Sequence, residues 1–234
     1  MRSLSKIIVT AVIGVALAYG IGTLWPPSAI NPDANHAHAD FAVWIYGKQM
    51  DFSGPKYMST PPATEASASS FIAIPHAFAH GDEADGHVVP GREFLHLHDG
   101  NGHVIHRHKP GLTFGDFLES VGWKRKTVGS QPAHECLITD TGLQFCISGG
   151  GVCKFFHGIT LASPVDIGSL DDAWSYVFAD NDHLLLWCAD VSDDWHQAWN
   201  SMTSDACLYS KTCPWRGEPP TEGCIADPTV PCKE

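Results

Sequence analysis

The chain has 234 residues, with 14 Lys and Arg against 26 Asp and Glu, and carries a formal charge of −12 with its 14 histidines neutral. That balance excludes a basic nucleic-acid binder, because no positive footprint for phosphate exists. Eight Trp, eleven Phe and five Tyr, within a 44% hydrophobic composition, exclude a wholly disordered chain. The histidine surplus is the unusual quantity: protonating all of it would bring the formal charge from −12 to about +2.

The N-terminus reads Met1-Arg2-Ser3-Leu4-Ser5-Lys6 and then runs uncharged from Ile7 to Trp25. Nineteen residues at about 1.5 Å each reach roughly 28 Å, close to the thickness of a bilayer core. Arg2 and Lys6 precede the run and the next charge is Asp33, so the expected topology is single-pass in the cell membrane, N-terminus cytoplasmic, remainder outside. Ala16-Leu17-Ala18 offers the alternative of a cleaved signal and a secreted product. In both cases the chain beyond residue 33 is exported. The expected organisation is an anchor and spacer over 1–32, an exported domain over 33–204 with a low-complexity loop at 59–92, and a Cys/Pro-rich tail over 205–234.

In chain order, Phe41–Asp51 reads as two strands about a turn at Tyr46-Gly47. His36-Ala-His38-Ala-Asp40 precedes them, with both histidines and the carboxylate on one strand face and Phe41, Val43 and Ile45 on the other. Residues 93–108 form the clearest hairpin, with two His-x-His pairs, His96/His98 and His106/His108. Register decides what those pairs do. A two- or four-residue loop puts the pairs on opposite faces. A three-residue loop, Gly100-Asn101-Gly102, sets His96 opposite His106 and gathers all four imidazoles on one face, with Leu95, Leu97 and Ile105 on the other. The second register separates apolar from polar side chains, so four imidazoles on one face are expected, with Gly102 as the left-handed loop residue. His36, His38 and Asp40 could join this face or form a second site.

Thr113-Phe-Gly-Asp116 reads as a capping box opening a short helix whose apolar face is Phe114, Phe117 and Leu118. Cys136 and Cys146 flank a hairpin around Asp140-Thr141-Gly142 and are expected opposite one another, within disulfide reach. Eight cysteines, all beyond residue 135, imply disulfides in an exported chain, though spacing leaves the rest of their connectivity open. Segments 153–158 and 183–187 read as strands. Ser192–Met202 reads as a helix capped by Ser192, with Trp195, Trp199 and Met202 on its buried face. The fold class expected is α+β: small, mostly antiparallel sheets with one or two short helices, in a β-grasp-like arrangement of two hairpins about the helix after Thr113.

Three segments carry a resemblance: His36–Met58, His96–Gly122 with its HLHDGNGHVIHRH core, and Ala206-Cys-Leu-Tyr-Ser-Lys-Thr-Cys-Pro214. They resemble an uncharacterised family of exported, His-rich, membrane-anchored proteins of candidate-phylum bacteria and some archaea. The resemblance implies an exported domain and no activity.

Neutral imidazoles suit zinc or copper. The leading expectation is therefore a membrane-tethered, extracytoplasmic protein for zinc or copper capture, buffering or delivery. Its expected metal ligands are His96, His98, His106 and His108, then His36, His38 and Asp40. The expected partners are a metal ion and, through residues 7–25, the membrane. Nucleic acid is not a partner, and no protein partner is legible. Two alternatives stay open. One is a disulfide-rich interaction module with incidental or pH-sensing histidines. The other is a metal-dependent hydrolase using Asp40 or Glu93, although no His-Glu-x-x-His, Gly-x-Ser-x-Gly or P-loop motif occurs. Enzyme activity is thus left uncertain, with the balance against it.

Overall fold

The computed structural model of the protein describes residues 36–59, 89–129 and 134–218. The expected membrane span at 7–25, most of the low-complexity loop, and Cys224 and Cys232 lie outside those residues. Among the described residues no helix is long and apolar enough to cross a membrane.

Strand β1 (Ala37–Ile45) is the axis of the molecule. Its odd positions Phe41, Val43 and Ile45 are apolar and its even positions alternate His38, Asp40 and Ala42, so the strand's two-residue period gives the sheet two chemically distinct faces. Tyr46 (φ 52°) and Gly47 (φ 73°) turn the chain back into β2 (Lys48–Gln49), as the sequence suggests. Next come β3 (Leu95–His96), β4 (Val104–Arg107), α1 (Phe114–Ser120), β5 (Lys124–Val128), β6 (His134–Ile138) and β7 (Gln144–Cys146). The remaining elements are β8 (Gly151–Gly158), β9 (Val165–Gly168), α2 (Leu170–Ser175), β10 (Asp182–Asp190), α3 (His196–Asn200) and α4 (Ala206–Tyr209).

The result is a mixed α+β fold of mostly antiparallel sheets with short helices. The large sheet runs β3-β4-β1-β10-β8-β9, with β2 also pairing β1. Every pairing is antiparallel except that of β1 with β10, which is parallel. Strands β5-β6-β7 form a separate three-stranded sheet.

One face of the large sheet holds the main core. Phe41, Val43, Ile45, Leu97, Ile105, Phe155, Leu184 and Leu186 pack there with Phe114, Phe117 and Leu118 of α1 and with Trp123. The helix starts where the sequence predicts: Thr113 Oγ1 accepts the Asp116 N–H at 3.0 Å, and Asp116 Oδ2 accepts the Thr113 N–H at 2.7 Å. The small sheet adds Leu137 and Phe145 to the same core. It is tied to the rest by Asp140, whose carboxylate accepts Lys56 Nζ (2.6 Å), the Tyr57 hydroxyl (3.1 Å) and Trp123 Nε1 (3.1 Å). The other face carries Ala42, Phe156, Leu185 and Trp187 under Trp199 and Met202.

Three disulfides fall in the C-terminal half: Cys136–Cys146, Cys153–Cys188 and Cys207–Cys213. The first is the pairing the hairpin register predicts, since Cys136 stands opposite Cys146. Among the described residues no cysteine is free.

Two local readings need correction. The helix expected over Ser192–Met202 shrinks to His196–Asn200, because Asp193 N–H first closes a turn onto the Asp190 carbonyl and the Asp194 carboxylate takes up the His196 N–H. The hairpin tip keeps the predicted register but not the predicted turn. Asp99 (φ 59°) and Gly100 (φ 69°) take the left-handed positions, and Asn101 Oδ1 accepts the N–H groups of His103 and Val104. Gly102 serves another purpose: a Cβ there would lie 2.3 Å from Ser53 N and 2.6 Å from the Phe52 carbonyl carbon. It is the point where the hairpin presses against the chain after β2.

Candidate metal centre

The hairpin register sets His96 opposite His106. Strand β4 then pairs with β1 so that His38 also stands opposite His106. Three neighbouring strands therefore deliver imidazoles to one place on the face away from the main core. His36/His38, predicted either to join the hairpin histidines or to stand apart, join them.

The six rings form a closed circuit. Centroid separations are 4.4 Å for His36–His38, 4.8 Å for His38–His106, 4.0 Å for His106–His98, 5.9 Å for His98–His96, 4.8 Å for His96–His108 and 4.1 Å for His108–His36. Exposure is only 1% for His38, 2% for His96, 0% for His106 and 5% for His108. Four histidines in one buried patch is not how a solvated strand face looks. The tightest group is His36, His38 and His106, whose candidate ligand atoms all lie within 4.8 Å of one another and could hold a metal ion.

The surroundings place a hydrogen on Nδ1 of three of these rings. A carbonyl only accepts, so His96 Nδ1 carries a hydrogen and donates it to the Arg92 carbonyl at 2.9 Å. His98 Nδ1 likewise donates to the Asp99 carboxylate at 2.6 Å. The Ser210 hydroxyl gives its one hydrogen to Asp180, so the 2.8 Å contact between Ser210 Oγ and His38 Nδ1 is a donation from the ring. In the neutral form of each ring the lone pair is then on Nε2. An oxygen on one ring nitrogen and a lone pair on the other is the arrangement that metal-binding histidines use. Asp180 is itself tuned: burial pushes its carboxyl up, but the neighbouring His38 ring and the hydrogen bonds from the Ser210 hydroxyl and the His38 backbone N–H outweigh this and hold it below the ordinary carboxylate value.

The cluster has a roof. Helix α4 and the residues after it lie over the rings, with the Tyr209 ring 4.7 Å from His106, 5.7 Å from His38 and 5.8 Å from His98. The Tyr209 hydroxyl accepts Asn101 Nδ2 at 2.8 Å, so the roof is latched to the hairpin tip. Cys207–Cys213 staples the segment that carries Tyr209 and Ser210.

Asp40, expected as a ligand beside His38, has a different job. Its carboxylate is buried and accepts Thr203 Oγ1 (2.6 Å), Asp205 N–H (2.7 Å) and Ala206 N–H (2.9 Å). It anchors the start of α4 and so holds the roof down. His183 Nε2 is 3.9 Å from the same carboxylate. His103 bonds Asp205 and His157 bonds Asp182, and neither is among the six clustered rings. His76, His80 and His87, in the acidic loop, lie outside the described residues.

Sequence reasoning misses Tyr209, Ser210, Asp180 and Arg92. Ser210 and Asp180 lie 172 and 142 residues from His38 along the chain, and nothing local marks them. The only signal is indirect: Tyr209 and Ser210 stand between two closely spaced cysteines.

Compared with protein-family models, with curated proteins and with solved structures, the chain matches none.

Proposed function

We propose that this is a membrane-tethered, extracytoplasmic metal-binding protein that captures, buffers or delivers zinc or copper. The observation that carries the reading is the convergence of six imidazoles from β1 and the β3–β4 hairpin, three of them held through Nδ1 by oxygens that leave Nε2 to the centre. Disulfides in the same domain fit an oxidising compartment. The tether would be the uncharged run at residues 7–25. The resemblance to exported His-rich proteins supports the same location.

The proposal also takes the large sheet as β-grasp-like. Its support is the parallel pairing of the first and last strands, flanked by the antiparallel β4 and by the antiparallel β8–β9 pair, with α1 on one face.

The test is equilibrium binding of zinc and copper(II) to the full chain stripped by a chelator. Tight binding at neutral pH is expected, together with a large loss on changing His36, His38 and His106 to Ala. Failure to bind either ion, or undiminished binding by the triple variant, would overturn the reading.

A further inference from the structure

The cluster has more donors than one ion uses. A structural zinc takes four protein ligands and a catalytic zinc three. Here six imidazoles surround one place, and their nitrogens group in two. At the start of β1, His36 Nε2 lies 3.1 Å from His38 Nε2. On the hairpin, His98 Nε2 lies 3.2 Å from His106 Nδ1. Two imidazole nitrogens sharing one tetrahedral zinc, each about 2.0–2.1 Å from it, stand about 3.3–3.4 Å apart. Both pairs are close to that spacing, and they share no residue.

Each pair has its own support. Behind the first, His38 Nδ1 leads through Ser210 to the Asp180 carboxylate, which is itself 3.6 Å from that nitrogen. Behind the second, His98 Nδ1 meets the Asp99 carboxylate. Neutral imidazoles do not offset cationic charge, so two ions in a largely buried site need carboxylates nearby, and each pair has one. Between the pairs stand His96 and His108, whose rings are 4.8 Å apart, with His108 also 4.1 Å from His36.

We infer that the cluster is a two-ion centre, with one ion on the His36/His38 pair, a second on the His98/His106 pair, and His96 and His108 as the further donors between them. His106 belongs by distance to the first triad as well, so the two ions are neighbours. This inference rests on the metal-binding reading above.

The test counts ions on the full chain. The stripped protein is loaded with zinc, freed of excess by gel filtration and measured by native mass spectrometry and elemental analysis. Two ions per chain are expected. His98→Ala and the double change His36→Ala/His38→Ala should each leave one, and changing all six should leave none. A parallel copper(II) titration needs no variant: the second equivalent should broaden the paramagnetic signal of the first. A single ion per chain would overturn the two-ion centre and leave the metal-binding reading standing, whereas no ion would overturn both. The inference also falls if one of two ions survives the change of all six histidines, or if the copper signal merely doubles.

Discussion

The two faces of β1 make the instructive contrast. Phe41, Val43 and Ile45 meet α1 in an apolar core, while His38 and Asp40 on the same strand, with His36 just before it, meet a polar roof. The core face is covered by a helix whose buried side chains, Phe114, Phe117 and Leu118, are all apolar. The histidine face is covered by a segment 160 or more residues further along, held by point contacts: Asp40 at the start of α4, Ser210 on His38, Asn101 on Tyr209. Buried polar groups demand such pairing, each one placed. Apolar packing and the histidine cluster are thus divided between the two faces of one strand.

That division can be broken from either side. Phe117→Ala empties the centre of the core face and should cost about 3–5 kcal/mol in denaturant unfolding. If the faces are separate in function, what remains folded should still bind metal. Asp40→Asn replaces a buried acceptor that serves three donors, and the expected loss is about 1–3 kcal/mol. Here the accompanying sign is faster amide exchange over residues 203–210, with α1 unchanged. Ser210→Ala removes the acceptor that orients His38 and should lower metal affinity about 10–100-fold, with a loss of about 1–3 kcal/mol in unfolding of the metal-free chain. An unchanged affinity would mean that His38 is positioned by the sheet alone. Thr113→Ala removes one half of the capping box and should cost about 1 kcal/mol, all of it on the core face.

The smallest effect is electrostatic. Burial pushes the Asp140 carboxyl up, but hydrogen bonds from Lys56 and Tyr57, the Lys56 charge and the Trp123 indole outweigh it and hold it below its ordinary value. A carboxyl depressed in the folded state contributes stability that is complete above its unfolded value, about pH 4, and is lost as pH falls through the folded one. Acid unfolding of the Asp140→Asn variant should therefore be flatter below about pH 4, with no difference in pH dependence near neutrality.

What the sequence yields follows from distance along the chain. The parity of the tip at residues 99–102 sets which histidines face one another, and that parity is legible because a one-residue slip would drive Leu97 and Ile105 to the wrong face. The Thr113 box and the Cys136–Cys146 pair are legible for the same reason: each is closed within about ten residues. The meeting of β1 with β4, and of both with residues 180–210, is not. An apolar strand pairs with many partners equally well by pattern, so nothing in His36–Asp40 announces Ser210. The tip also shows how a right register can hide a wrong turn: Gly102 reads as a left-handed residue, yet it is there to let two backbones touch.

The parallel pairing of β1 with β10 has a consequence in time. Ala39 lies beside Asp182, so the central seam of the sheet joins segments more than 140 residues apart and closes only after nearly the whole domain has emerged. Joining ends so distant makes the step slow. The β1–β4 meeting, which gathers the histidines, spans about half that distance. If the strands pair in that order, the imidazoles would be gathered before they are covered, and under the metal-binding proposal an ion arriving then would be enclosed by the last stretch of folding instead of having to find a way in.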